Sequence, residues 1–263
     1  RHRRRIPRSR RPRQYHLLIG MTASTPALAC ERLTKRYGHI AALKSVDVAV
    51  DAGECVAVFG RNGAGKTTLL QVAGSLIRSY EGEVRVFGVS RRDAGPETRR
   101  AVGLVLHEIC LYDDLSALDN LRFFARLYGV TDHEARAHEV LARFDLADRA
   151  NAVVRTLSRG MKQRLAIARA VVHRPRLLLM DEPFTGLDEP ASRALATALR
   201  DFVRDGGAVV MSTHDVERAF DVATRAIILE RGSITLDRSV ADIDLAAFRH
   251  AYWHVLFTGT PRS

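Results

Sequence analysis

Cysteine is scarce and scattered in this chain. Cys30, Cys55 and Cys110 are the only three, and no two share a C-x-x-C spacing. That argues against a thiolate metal site or a disulfide frame and predicts reduced, mostly buried thiols in a cytosolic protein. No apolar run approaches the roughly 18–20 residues that span a bilayer, so the chain is not expected to cross a membrane by itself. Tyr15-His16-Leu17-Leu18-Ile19-Gly20 is too short to be the apolar region of a signal peptide. There is no internal repeat and no heptad run, which sets aside solenoids and long coiled coils. Acids are missing altogether from residues 1–20, which hold eight arginines. Subtracting those eight from the formal net charge of +11 leaves +3 for residues 21–263. The strongly basic balance therefore belongs to the tail and is no general nucleic-acid signal. The tail reads either as an arginine arm for anionic lipid or nucleic acid, or as an extension upstream of Met21.

What is present begins with Gly60-Arg61-Asn62-Gly63-Ala64-Gly65-Lys66-Thr67-Thr68. The run fits G-x-x-x-x-G-K followed by Ser or Thr, the phosphate-binding P-loop. A triphosphate concentrates negative charge in a small volume and needs many inward-pointing donors unobstructed by side chains. Gly60, Gly63 and Gly65 let backbone N–H groups wrap it, and the helix beginning near Lys66 adds its positive dipole end. Lys66 supplies a mobile cation, and the Thr67 hydroxyl is placed to ligate Mg²⁺. The flanks agree: Cys55-Val56-Ala57-Val58-Phe59 reads as a buried strand, and the residues from Thr68 open as a helix.

Residues 27–36 and 44–50 alternate as strands do, and Gly82–Gly88 holds another strand between turn glycines. From about 115 to 174 the period turns helical, with Ser116 and Asp119 resembling a capping box. Helices are expected over 132–144 and 160–172, the last ending before Pro175. Strand character returns at Leu177-Leu178-Leu179-Met180, a fully apolar run suited to a central parallel strand. A helix over 191–204, a strand over 208–212, a helix over 216–222 and a hairpin turning at Arg231-Gly232 follow. Residues 244–263 are only weakly readable. Strand–helix alternation with an inserted helical block points to an α/β core carrying an α subdomain.

A P-loop expects a partner strand ending in acids, and Leu177-Leu178-Leu179-Met180-Asp181-Glu182 supplies it. Asp181 would hold Mg²⁺ through water, and Glu182 would polarise the attacking water. With these residues and the segment Leu157-Ser158-Arg159-Gly160-Met161-Lys162-Gln163-Arg164, the chain resembles the nucleotide-binding subunit of an ATP-binding cassette (ABC) transporter over nearly all of 27–236. The segment matches the family's signature, usually L-S-G-G-Q, with Arg159 for Gly and Met161 for Gln. The resemblance implies that Ser158 and Gly160 bind the γ-phosphate of an ATP held by the opposite subunit. It further implies adenine stacking on Tyr37, a D-loop at Gly186-Leu187-Asp188 that links two sites, and a switch histidine at His214. Where the family places a Mg²⁺-ligating Gln, this chain has His107, or Glu108 if the register slips by one. A merely structural histidine there stays open.

The implied fold is a P-loop NTPase α/β core with an ABC-type antiparallel β subdomain and an inserted helical subdomain. The implied domains are a tail over 1–20, an ATP-binding domain over 21–240 with its helical subdomain at about 98–174, and an extension over 241–263. The cofactors would be ATP and Mg²⁺. The partners would be an integral-membrane permease subunit and a second copy of this chain, at the cytoplasmic face of the inner membrane. No nucleic-acid or direct cargo binding is expected. Residues 107–108, 111–117, 120–130, 157–161 and 181–188 are similar to the haem-exporter ATPase of cytochrome c maturation, and much of this is shared with ATPases of ABC-2-type drug and polysaccharide exporters. A soluble ABC ATPase acting on ribosomes or DNA is the reading from another class, supported only by the basic tail.

Overall fold

The computed structural model describes residues 25–106 and 108–258, so the basic tail at 1–20 lies outside the described residues. In chain order the elements are β1 (Leu28–Tyr37), β2 (Ile40–Val50), β3 (Cys55–Phe59), α1 (Lys66–Ala73), β4 (Glu81–Val86), β5 (Val89–Ser90), α2 (Pro96–Arg100), β6 (Val102–Val105), α3 (Ala117–Leu127), α4 (His133–Arg143) and α5 (Arg159–Val171). They continue with β7 (Leu177–Asp181), α6 (Glu189–Arg204), β8 (Ala208–Ser212), α7 (Val216–Phe220), β9 (Arg225–Glu230), β10 (Ser233–Ser239) and α8 (Leu245–Thr258).

The strands form two sheets. One is a four-stranded antiparallel sheet in the order β2-β1-β4-β5; the other has six strands in the order β10-β9-β3-β8-β7-β6. Within the larger sheet only β10 runs antiparallel to its neighbour. Every residue of β3, β7 and β8 is buried, which explains their near-continuous apolar sequences. The two-residue period of a strand then divides those residues between faces. Val56, Val58, Leu177 and Leu179 pack with α1 and the antiparallel sheet, while Ala57, Phe59, Leu178 and Met180 pack with α6, α7 and α8.

A third core joins α3, α4 and part of α5 through Leu118, Leu121, Ala125, Val140, Leu141 and Leu165. Ser116 caps α3 by accepting the Asp119 N–H at 3.0 Å, as the capping pattern predicts. Asn120, wholly buried, donates to the carbonyls of Tyr112 and Ser116 and accepts the Tyr112 N–H, fixing the loop that leads into α3. On α4, Arg136 donates to the carbonyls of Val171 and Val172 at 3.0 Å each, satisfying the C-terminus of α5 from a neighbouring helix.

The helical subdomain does not begin at 98. Val102–Val105 is β6, an edge strand of the main sheet in parallel register with Leu177–Met180, and the helices start at Ala117. Its Val-Gly-Leu-Val sequence is too short to show a period. Gly103 is needed there because a Cβ would stand 2.4 Å from the Ala170 carbonyl oxygen of α5. The weakly readable C-terminus forms α8, whose Phe248 and Tyr252 are buried against the main sheet. Cys30 and Cys55 are buried, and burial pushes both thiols up to about 12; Cys110 is exposed. No helix among the described residues is long and apolar enough to cross a membrane.

Candidate functional site

The carboxyl ends of β3, β7 and β8 meet at one edge of the main sheet, where open α/β sheets place their ligands. Register brings the parts together: Ser212 lies beside Val58 on one side and beside Asp181 on the other. Past Phe59 the chain turns through Gly60 at φ +152°, where a Cβ would sit 2.3 Å from the Leu229 carbonyl oxygen. Gly65, at φ +111°, starts α1, and a Cβ there would sit 2.4 Å from the Ala42 carbonyl oxygen. Only glycine fits either position, so the loop closes tightly and presents backbone rather than side chains.

Lys66 is the first residue of α1 and is buried. Its ammonium donates to the Gly60 carbonyl at 2.7 Å and the Arg61 carbonyl at 3.2 Å. Burial lowers its pKa, and the charges of Glu182 and Asp181 oppose that shift. The cation is therefore held by its own loop, facing two acids.

The Thr67 hydroxyl donates to Asp181 Oδ2 at 2.7 Å, and the Ser212 hydroxyl donates to Asp181 Oδ1. Both carboxylate oxygens are thus oriented, one from α1 and one from β8. Glu182 follows at φ +52°, a left-handed conformation uncommon for a side-chain-bearing residue and frequent where function over-determines the backbone. Its N–H is held by the Ser212 carbonyl at 3.1 Å and the Ser212 hydroxyl at 3.2 Å. Its Oε2 lies 2.8 Å from His214 Nδ1. A carboxylate oxygen accepts, so that nitrogen carries a proton and Nε2 is left for a second contact.

These groups line a cleft of about 620 Å³. Arg61, Asn62, Gly63, Ala64, Gly65, Lys66, Thr67 and Thr68 form one wall; Asp181, Glu182, Thr185 and His214 form the other, with Ala42 beside them. No group of three His, Cys, Asp or Glu side chains among the described residues is arranged to hold a metal ion by itself. The Thr67–Asp181 pair nevertheless offers two hard oxygens side by side. That suits a Mg²⁺ ion taking its remaining ligands from water and phosphate.

The signature segment does not line this cleft. Ser158 caps α5 by accepting the Met161 N–H at 3.2 Å, and Leu157 is buried beneath it. Arg159 lays its side chain over Gly186, and a Cβ on Gly160 would approach the Gly186 carbonyl to 2.9 Å. Gln163 donates to the Pro183 carbonyl at 3.2 Å. The signature end of α5 is therefore packed on the turn that follows Glu182. Asp188, at the far end of that turn, caps α6 by accepting the Ala191 N–H at 2.9 Å.

Tyr37 also lies outside the cleft lining. It is 48% exposed at the end of β1, with the Lys35 ammonium 4.8 Å from its ring centroid. His107 lies outside the described residues, and its neighbour Glu108 is exposed and does not line the cleft. Sequence reasoning missed Ser212, whose hydroxyl serves both acids. Its one signal is a polar residue closing an otherwise apolar strand. It missed Thr185 and Ala42 as well, which carry no motif.

Residues 43–185 match the family model described as ABC transporter. The chain is 36% identical over 221 residues to the aliphatic sulfonates import ATP-binding protein SsuB of Pectobacterium atrosepticum, covering 84% of this chain and 80% of that protein. It is 35% identical over 216 residues to the Nod factor export ATP-binding protein I of Cupriavidus pinatubonensis, covering 81% of this chain and 66% of that one. It is also similar to a dimeric ATP-binding cassette solved in a post-hydrolysis state bound to ADP and Pi. The TM-score is 0.75 at 30% identity, covering 81% of this chain and 98% of that one. The cleft, its acids and these likenesses agree: the chain belongs to the ABC transporter family, as one of its ATP-binding, ATP-hydrolysing subunits.

Proposed function

We propose that the chain powers an exporter as a pair of identical subunits closing head to tail on ATP. The carrying observation is the separation within one chain. The phosphate loop, Asp181, Glu182 and His214 share a cleft, while Leu157–Met161 stand apart from it at a helix N-terminus. An N-terminus with a Ser cap suits a phosphate presented by another subunit. ATP would lie with its phosphates on the 60–68 loop, its adenine against Tyr37, and its γ-phosphate facing Ser158 and Gly160 of a second copy. Mg²⁺ held by Thr67 and Asp181 would neutralise charge on the β- and γ-phosphates. Glu182 takes the proton of the attacking water, and His214 keeps that carboxylate aimed while reaching the γ-phosphate through Nε2. Loss of the γ-phosphate removes the bridge between the copies, and they part.

The motion would pass to an integral-membrane permease through the loop around His107 and the helices of the third core, at the cytoplasmic face of the inner membrane. The cargo path would lie in that partner. Haem export is the reading supported by the residues at 107–108, 111–117, 120–130, 157–161 and 181–188. The second reading is an ABC-2-type drug or polysaccharide exporter, and the Nod factor export relative supports the export direction.

Glu182→Gln tests the mechanism. It keeps the side chain's shape and removes the base, so it should bind ATP and accumulate as an ATP-dependent dimer in size-exclusion chromatography with light scattering. Turnover should fall by about 100-fold or more. Hydrolysis at the parent rate would show that Glu182 is not the base.

A further inference from the structure

A groove lies between α6 and the ends of α4 and α5, and it shares no lining residue with the nucleotide cleft. It holds two adjoining cavities of about 260 and 300 Å³, both lined by Phe144, Ile167, Leu195 and Ala198. The first is further lined by Val171 of α5, Leu178 of β7, and Leu199 and Phe202 of α6. Phe144, Val171 and Phe202 are only half-buried, so apolar surface is left facing the groove. Lining residues on α6 run from Pro190 to Phe202, a length of roughly 18 Å at about 1.5 Å per residue.

Three arginines line the first cavity and no acid does. Arg136 is already committed to the end of α5 and to Glu139, 2.6 Å away. Arg174 reaches Asp132 only at 3.9 Å, with both side chains more than half exposed. Arg143 is exposed and forms no ion pair among the described residues. The acids of the second cavity are engaged elsewhere: Asp145 pairs with Arg164 at 2.8 Å, and Asp188 caps α6. The groove therefore joins an apolar trough to two available cations. Its walls are helices whose backbone groups bond within themselves, so an extended peptide would find no partners for its own N–H and C=O groups. A folded helix is about 10 Å across, too thick for cavities of this size. A single acyl chain has nothing polar to satisfy along its length, and an anionic head on it suits the two arginines.

We propose that this groove binds a fatty-acid carboxylate, its chain lying along α6 and its head against Arg143 and Arg174. The site goes beyond the ATPase reading and does not depend on it. Since α5 is capped by Ser158 and α6 by Asp188, one occupant touches both the signature helix and the helix that follows the turn after Glu182. Isothermal titration of the full chain with laurate, without nucleotide and below the micelle concentration, tests the proposal. One laurate should bind per chain and raise Tm by mass action, whereas detergent-like adsorption favours the unfolded chain and lowers Tm. Dodecyltrimethylammonium, with the same chain and a cationic head, should bind at least about tenfold more weakly. Arg143→Gln combined with Arg174→Gln should weaken laurate binding about tenfold and leave the ligand-free Tm unchanged. Ala198→Phe puts a ring where the two cavities adjoin and should abolish binding. Should that variant fail to fold, the arginine pair still decides the question. No laurate binding, equal binding of the two head groups, unaltered affinity in the arginine variant or a lowered Tm overturns the proposal. So does a parent chain that ignores laurate but self-associates without nucleotide, with Ala198→Phe abolishing that in light scattering; the groove would then belong to a second copy.

Discussion

Ser212→Ala should weaken the protein and its chemistry together. The Ser212 hydroxyl is wholly buried, donates to Asp181 Oδ1 and accepts the Glu182 N–H, so no water stands ready to replace it. A hydrogen bond to a charged group contributes about 1.5–3 kcal/mol. Thr67 still satisfies Oδ2 and the Ser212 carbonyl still holds the Glu182 N–H, which places the loss toward the lower end. The expected destabilisation is about 1.5–2.5 kcal/mol, or a Tm lower by about 3–10 °C for a domain of this size. Urea denaturation at pH 7 should show a shifted midpoint and an unchanged m-value. The matched control is Ser192→Ala. Ser192 is also buried, but its hydroxyl has no partner among the described residues, so its removal should change stability by less than about 0.5 kcal/mol. ATP turnover should fall about tenfold in Ser212→Ala, because both acids lose part of their alignment. If the two serine variants are equally stable, the argument that the Ser212 hydroxyl orients the acids fails.

Lys66→Ala removes the cation seated in the loop and should weaken nucleotide binding by about 100-fold or more in a fluorescent-nucleotide titration; unchanged affinity would refute that role. Arg136→Ala strips one buried and one part-buried carbonyl at the end of α5 of their donors and should destabilise the fold by about 2–4 kcal/mol, read by urea denaturation. His173 is buried with Nε2 on the Val102 carbonyl, and burial pulls its pKa down from 6.5 to about 4. The unfolded chain therefore takes up this proton first. Stability is full above about pH 6.5 and is lost as pH falls toward 4, by up to about 3 kcal/mol from this group. Replacing His173 by Gln should flatten that part of the pH–stability curve, and an unaltered slope would refute the assignment.

The main-sheet strands were legible because buried parallel strands write themselves as apolar runs. The phosphate loop was legible because its chemistry is contiguous: three glycines, a lysine and a threonine within nine residues admit few other uses. Asp181 and Glu182 followed from their strand. Long-range geometry left fainter traces. Gly103 marks where α5 crosses β6, but a four-residue strand is too short to show a period around it. Helix α8 carries apolar residues on every side, so no amphipathic stripe announces it. Ser212 acts on the acids from 30 and 31 positions away in sequence. The signature was readable by resemblance, yet its seating on Gly186 and Pro183 depends on how α5 packs beside β7.

That seating has a mechanical consequence. Six residues, from Glu182 through the turn to Leu187, connect a chain's own base to the surface on which its signature helix rests. In the proposed head-to-tail pair, a shift at one Glu182 would displace the signature helix serving the other site, and the reverse would hold. The two pockets would then form a closed ring of levers rather than parallel engines. A mixed pair of one parent chain and one Glu182→Gln chain should therefore run well below half speed.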